Sequence, residues 1–398
     1  MMDYDKLLSQ QVLGMKSSGI RRFFDIVEEK KEVLSLGVGE PDFKTPWAIR
    51  DAGIRSLEQG KTIYTSNSGL LLLREEITRY LERRFSLSYD AREETVVTVG
   101  GSEAIDLTVR AILNPGDEVL IPQPSFVAYT PIVKMAQGTV VPLYTKEEDR
   151  FRLTAETVRA AITPKTKLLI LPFPNNPTGA VMRGEDLEEI AALLRQTDIL
   201  VLSDEIYAEL TYGDRPHVSI ATLPGMRERT VVINGFSKAY SMTGWRLGYA
   251  CGPAPIIRQI TKIHQYAIMC APSTSQYAAI VGLRECDDNV ESMKAEYDAR
   301  RRYLVDAIRK AGLSCFEPEG AFYLFPNITP TGYTSEEFCE KLLEEENLAV
   351  VPGDAFGESG EGFVRISYCY SISHLMDAVQ RLESFLQRRG IRPAGTGR

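Results

Sequence analysis

Two short stretches, each at the end of a strand-like run, concentrate side chains able to do covalent chemistry. Asn234-Gly235-Phe236-Ser237-Lys238 closes the run TVVIN, and Gly244-Trp245-Arg246 follows shortly after. A lysine at a buried strand end is desolvated, which lowers its pKa and frees its amine to attack an aldehyde. Ser237 and Arg246 suit a phosphate monoester, one by its hydroxyl and the other by its charge. A lone lysine is ordinarily a surface charge. Here Ser237, Lys238 and Arg246 recur at one strand end with a glycine between them.

Ser203-Asp204-Glu205-Ile206-Tyr207 directly follows the buried run ILVL. Burying a carboxylate alone is costly, so Asp204 needs a cationic or donor partner. Taken alone it reads as a helix N-cap or a loop salt bridge. Beside Lys238 it reads as the partner of a protonated pyridine nitrogen, keeping a ring electron-poor, with Tyr207 within reach of the ring's 3-oxygen. Pro172-Phe173-Pro174-Asn175-Asn176-Pro177-Thr178-Gly179 follows the run LLIL, where the prolines fix a rigid turn. It is either a structured loop or the loop that brings Asn176 to the same 3-oxygen. Gly100-Gly101-Ser102-Glu103-Ala104 joins a strand to an amphipathic helix, whose first amides favour phosphate. The spacing is not GxGxxG, and no Gly-Lys-Ser/Thr follows, so dinucleotide and ATP readings lose support.

The elements that position these residues alternate. Strand-like runs at Thr95–Val99, Glu118–Ile121, Val140–Leu143, Lys167–Leu171, Ile199–Ser203 and Thr230–Asn234 are interleaved with helical patterns such as Ser102–Leu113 and Gly184–Arg195. Alternation of this kind predicts an α/β fold with a mostly parallel sheet, and uninterrupted apolar strands predict helices on both faces. Asp298–Ala311, Ser335–Glu346 and His374–Arg388 read as helices; Ala321–Phe325, Leu348–Val351 and Phe363–Ser367 read as strands of a smaller α+β unit. Arg21–Lys30 reads as a helix and Val33–Leu36 as a strand. The expected division is an arm, 1–45, packing on the small unit, a large domain, 46–285, and a small domain, 286–398. The tail Arg389–Arg398 is expected to fray.

At 398 residues the chain exceeds the roughly 250–300 at which one core stops growing. A net charge of −8 argues against nucleic acid or anionic membrane as a partner. No apolar run reaches the roughly 18 residues of a membrane span, and the N-terminus has no signal-peptide core, so a cytoplasmic location is expected. Six scattered cysteines form no Cys-x-x-Cys pair and read as packed thiols. Three histidines leave little for a metal site or a hydrolase triad; His264 is given no role, and Trp245 reads as packing.

The blocks SLGVGEPDF, YTSNSGLLLLRE, PNNPTG, SDEIY, NGFSKAYSMTGWRLGY, GAFYLF and VRISY occur in one order from about Ile20 to about Leu386. In this the chain resembles the fold-type I pyridoxal-phosphate (PLP) enzymes, class I/II aminotransferases, and within them the bacterial and archaeal aspartate/aromatic subgroup. The resemblance implies a seven-stranded, mostly parallel sheet between helices, and PLP carried by Lys238 as a Schiff base. It makes Asp204 the pyridinium partner, and Tyr207 and Asn176 ligands of the 3-oxygen. Ser237 and Arg246 become phosphate ligands with the amides around Gly101 and Ser102, and Glu103 counts among the cofactor-binding residues of that turn. Phe126 stacks on the ring. Arg365 takes the substrate α-carboxylate, with Asn176 and the backbone of Gly39 near it. Tyr64 reaches a neighbouring subunit's phosphate, which implies a homodimer with shared sites.

The function so implied is amino transfer from an aspartate-, aromatic- or alanine-type L-amino acid to a 2-oxo acid, 2-oxoglutarate for preference, by ping-pong kinetics. N-acyl-diamino acids stay open as donors. The same apparatus also serves a PLP lyase or decarboxylase. A PLP-binding regulatory module is the reading from another class; it calls for a basic DNA-binding extension, whereas this chain is acidic. A second arginine for a side-chain carboxylate has only default candidates: Arg21, Arg22 and Arg74. Phe126, Tyr64 and Tyr129 would tolerate an aromatic substrate.

Overall fold

The computed structural model describes residues 2–15 and 32–391. Its central sheet has seven strands: β1 (Thr95–Thr98), β2 (Glu118–Gln123), β3 (Thr139–Tyr144), β4 (Thr166–Leu171), β5 (Leu200–Asp204), β6 (Thr230–Gly235) and β7 (Gly248–Cys251). They lie in the order β1-β7-β6-β5-β4-β2-β3. The pairs among β3, β2, β4, β5 and β6 are parallel, while β7 runs antiparallel between β6 and β1.

Successive residues of a strand face opposite sides, so an unbroken apolar strand needs cover on both. In β4, Leu168 and Ile170 enter one core cluster while Leu169 and Leu171 enter another. The first cluster is covered by α3 (Gly100–Ile112) and α5 (Ala254–Ala267), the second by α4 (Gly184–Leu194). A third cluster joins α1 (Trp47–Glu58), α2 (Leu71–Phe85) and α6 (Ser273–Glu285) to β1, β6 and β7.

β7 is the strand with no signal in the sequence. GYAC has no β-branched residue and opens on glycine, a composition poor in strand propensity. Close approach explains the glycine: a Cβ on Gly248 would stand 2.6 Å from the carbonyl carbon of Gly100 and the nitrogen of Gly101. The same contact seats the start of α3 against the sheet.

The C-terminal part is built on α7 (Asp287–Lys310), α8 (Ser335–Glu346) and α9 (Ile372–Gln387), with β8 (Tyr323–Leu324), β9 (Val351–Pro352) and β10 (Val364–Ser367) in the antiparallel order β8-β10-β9. α7 begins well before the Asp298 read from the sequence, with Asp287 and Asp288 in its first turn, where acidic residues suit the helix dipole. The run read as Leu348–Val351 divides in two. Leu348–Ala349 pairs in parallel with Leu34–Ser35, and Val351–Pro352 pairs with β10. Leu34–Ser35 therefore lies against the C-terminal part, while the Arg21–Lys30 helix and the tail from residue 392 fall outside the described residues. Among the described residues no helix is long and apolar enough to cross a membrane, and no His/Cys/Asp/Glu group could hold a metal ion. The six cysteines are free thiols, five of them buried.

Candidate active site

A cavity of about 390 Å³ opens beyond the carboxyl ends of β4, β5 and β6, where open α/β sheets place their ligands. Its lining includes Lys238 and Ser237 just past β6, Asp204 at the end of β5, Asn176 past β4, and Arg365 from β10. Gly39, Gly101, Ser102, Phe126, Tyr207 and Arg246 also reach it. Most of the residues picked out from the sequence thus converge on one cavity, although they are scattered through more than 300 positions.

Lys238 donates from Nζ to the carbonyl of Gly39 at 2.6 Å. Desolvation pulls its ammonium down to about 8, and Arg365 and Arg246 add to the pull. An amine so lowered has an appreciable neutral, nucleophilic fraction near neutral pH. The backbone of Gly39, expected beside a substrate carboxylate, here holds the lysine. Asp204 is buried, and among the described residues no cation pairs with it. Burial raises its carboxyl above the ordinary range, while hydrogen bonds from Tyr129 Oη, at 2.6 Å, and from the amide of Ile206 pull it back.

Arg365 is buried between the rings of Tyr323 and Phe356, whose centroids lie 4.6 and 4.8 Å from its guanidinium carbon. Its Nη1 donates to Asn176 Oδ1 at 2.9 Å and its Nη2 to the carbonyl of Gly37. Its Nε is buried with no partner among the described residues. Because Asn176 spends its oxygen on Arg365, its Nδ2 hydrogens are what it offers an oxygen in the cavity. The Tyr207 and Tyr323 hydroxyls lie 2.8 Å apart, and burial raises both phenols.

The start of α3 also borders the cavity. Gly100 has φ +80°, and a Cβ there would stand 2.7 Å from an Arg246 guanidinium nitrogen. That guanidinium therefore lies against the first turn of the helix, where free amides and the dipole favour an anion. The glycine pair belongs to this first turn, not to a loop before it.

Two positions depart from expectation. The Glu103 side chain does not line the cavity: it accepts from the amide of Val99 and from His264 Nδ1, at 2.9 Å for the latter, so it closes its own helix end. Arg74 is buried outside the cavity lining, with its guanidinium bonded to the carbonyls of Gly69, Ala91 and Arg92. Tyr64 is 79% exposed and does not line the cavity of its own chain. Arg21 and Arg22 are outside the described residues.

Tyr129, expected only beside an aromatic substrate, and Tyr323, given no role, also line the cavity. Tyr129 follows Phe126 by three positions, the spacing that puts two side chains on one side of a turn, and their rings meet edge to face at 5.6 Å. Tyr323 sits inside the GAFYLF block and packs so close to Gly39 that a Cβ there would stand 2.1 Å from its hydroxyl.

Comparison with known proteins identifies the family. The family model for aminotransferase class I and II matches residues 31–382. The aspartate aminotransferase of Pyrococcus abyssi is 45% identical, with 96% of this chain and 99% of that one covered. Among solved structures, the aromatic aminotransferase of Pyrococcus horikoshii superposes with a TM-score of 0.89 at 44% identity, covering 93% of this chain and 100% of that chain. The aspartate aminotransferase of Thermus thermophilus with maleate gives 0.91 at 38%, covering 95% and 99%. Relatives of this kind favour amino transfer over a lyase or decarboxylase. With the family model, the relatives and the fold in agreement over almost its whole length, the chain belongs to the class I and II aminotransferases.

Proposed function

We propose that this aminotransferase uses PLP held at Lys238 to move the amino group of an L-amino acid to a 2-oxo acid, with 2-oxoglutarate as acceptor. One observation carries the reading: a desolvated amine and, with no cation and no Nε partner among the described residues, a buried carboxylate and a buried guanidinium face one cavity. The donor set fits PLP. Ser237, Arg246 and the first amides of α3 would take the phosphate, Phe126 one ring face, Asp204 the ring nitrogen, and Asn176 and Tyr207 the 3-oxygen. When bound, PLP supplies an aldehyde and an electron-withdrawing ring.

The chain's own residues do the rest. Arg365 grips the substrate α-carboxylate and orients the α-carbon. Lys238 Nζ takes the α-proton as general base, its lowered pKa matching that task. Asp204 holds positive charge at the nitrogen end of the cavity. Borohydride reduction of the purified protein, followed by peptide mass spectrometry, is expected to fix a pyridoxyl group on the peptide containing Lys238. An unmodified peptide would remove the reading. A panel of amino donors tested with 2-oxoglutarate then fixes the donor class.

A homodimer with shared sites is part of the proposal. Tyr64 and its neighbour Ile63 are exposed, as are Tyr266, Ile268 and Met269, and the Asn67 amide bonds the Met269 carbonyl, so these apolar groups share one surface. Contiguous exposed apolar area of this kind marks an interaction site. The expected mass in sedimentation equilibrium is twice that of the chain, and a monomer at micromolar concentration would sink the shared-site arrangement. The division at 45 and 285 is retained here, supported by the start of α7 at Asp287 and by the pairing of Leu34–Ser35 with Leu348–Ala349.

A further inference from the structure

We infer that Tyr129 is a positioning residue for Asp204: its hydroxyl fixes the carboxylate's rotation and keeps the proton shared with a cofactor ring nitrogen on the ring. The inference rests on the reading of the cavity as a PLP site.

The geometry is specific. Tyr129 Oη donates to Asp204 Oδ2 at 2.6 Å, and the Ile206 amide donates to Oδ1 at 3.2 Å. Each carboxylate oxygen thus has one protein donor. Two donors on opposite oxygens lock the plane of the group, and the lone pairs left over are those that can face the cavity. Tyr129 and Asp204 are both buried, so removing this bond would take from a buried carboxylate oxygen its side-chain donor.

The direction of the effect follows from what the bond stabilises. A hydrogen bond donated to a carboxylate favours its ionised form, and burial opposes that form. In a dry site, a carboxylate and a pyridine nitrogen compete for one proton. Tyr129 lowers the basicity of Asp204 and so tilts the competition toward the protonated ring, the state that withdraws electrons from the substrate. Its edge-to-face contact with Phe126, and the bond from its amide to the Phe126 carbonyl, put the residue at the ring face and the residue at the ring nitrogen on one rigid turn.

The test uses holoenzyme reconstituted with PLP labelled with ¹⁵N in the ring. In the wild type the ring nitrogen is expected to resonate as protonated. In Tyr129→Phe, which keeps the ring and its contact with Phe126, the resonance is expected to move toward the unprotonated position. PLP affinity measured by titration of the apoprotein should fall by up to roughly tenfold, since only the part of that bond which favours the ionised carboxylate bears on binding. In the Asp204→Asn background the same substitution should change neither quantity. Tyr129→His restores a donor and should bring the resonance back, which keeps the test open if the Phe variant is unstable. A Phe variant with wild-type resonance and affinity overturns the inference. So does an equal loss in the Asn background, which would mean that Tyr129 acts through packing alone. A wild type that binds no PLP at all would instead remove the underlying functional reading, and this one with it.

Discussion

Lys238→Ala is expected to give a folded protein without the absorbance band of a lysine-bound cofactor and with turnover reduced by at least about 10⁴-fold. A positioned general base alone contributes roughly 10²–10⁴-fold, and the same substitution removes the nucleophile that tethers the cofactor. The fold should survive, because the amine makes one hydrogen bond, to the Gly39 carbonyl, and otherwise faces the cavity. In the intact protein, the attack of Lys238 on PLP should speed up as pH rises through about 8, where the ammonium loses its proton. Burial disfavours the charged form, so the midpoint lies below the roughly 10.4 of a solvated lysine. Stopped-flow absorbance at a series of pH values measures it. A midpoint near 10 would mean the amine is solvated and the desolvation argument is wrong. A Lys238→Ala protein that kept its turnover would move the chemistry to another residue.

Sequence reasoning reached the residues whose chemistry is local to a strand end. Lys238, Asp204 and Asn176 each follow an apolar run and a turn, and a strand end is where an α/β sheet exposes side chains to ligand. The resemblance supplied Arg365, because nothing in Val364–Ser367 taken alone distinguishes a substrate clamp from an ion pair. What stayed out of reach depends on cross-chain geometry. β7 is glycine-rich at its start because of contact with Gly100 and Gly101, a reason invisible along the chain. The acidic side chain of Glu103 follows a phosphate-favouring glycine pair, yet His264, 161 positions later, turns it to another task. Tyr323 meets Tyr207 across 116 positions. Tyr129 carried a legible signal, its spacing from Phe126, but its partner Asp204 lies two strands away in the sheet, across β4.

Arg365→Lys is expected to weaken amino-acid binding by roughly 10- to 150-fold while leaving the cofactor in place, since losing a hydrogen bond to a charged group costs about 1.5–3 kcal/mol. Lysine keeps the charge but loses the planar fork. In Arg365 that fork reaches the Asn176 oxygen and the Gly37 carbonyl while its Nε stays unpaired. A single ammonium cannot hold those two acceptors and also grip a carboxylate bidentately. The cost should therefore appear in the KM of both the amino acid and the oxo acid, because both carry the carboxylate. Binding of PLP, judged by absorbance and by borohydride labelling of Lys238, should be nearly unchanged, since the substitution leaves Ser237, Arg246 and the first amides of α3 in place. A control separates this role from general damage to the site. A primary amine lacking the α-carboxylate should react with the wild type and with Arg365→Lys at similar rates, because neither can use the guanidinium. Equal losses for the amine and the amino acid would mean that Arg365 shapes the cavity through Asn176 and Tyr323 rather than reading the carboxylate.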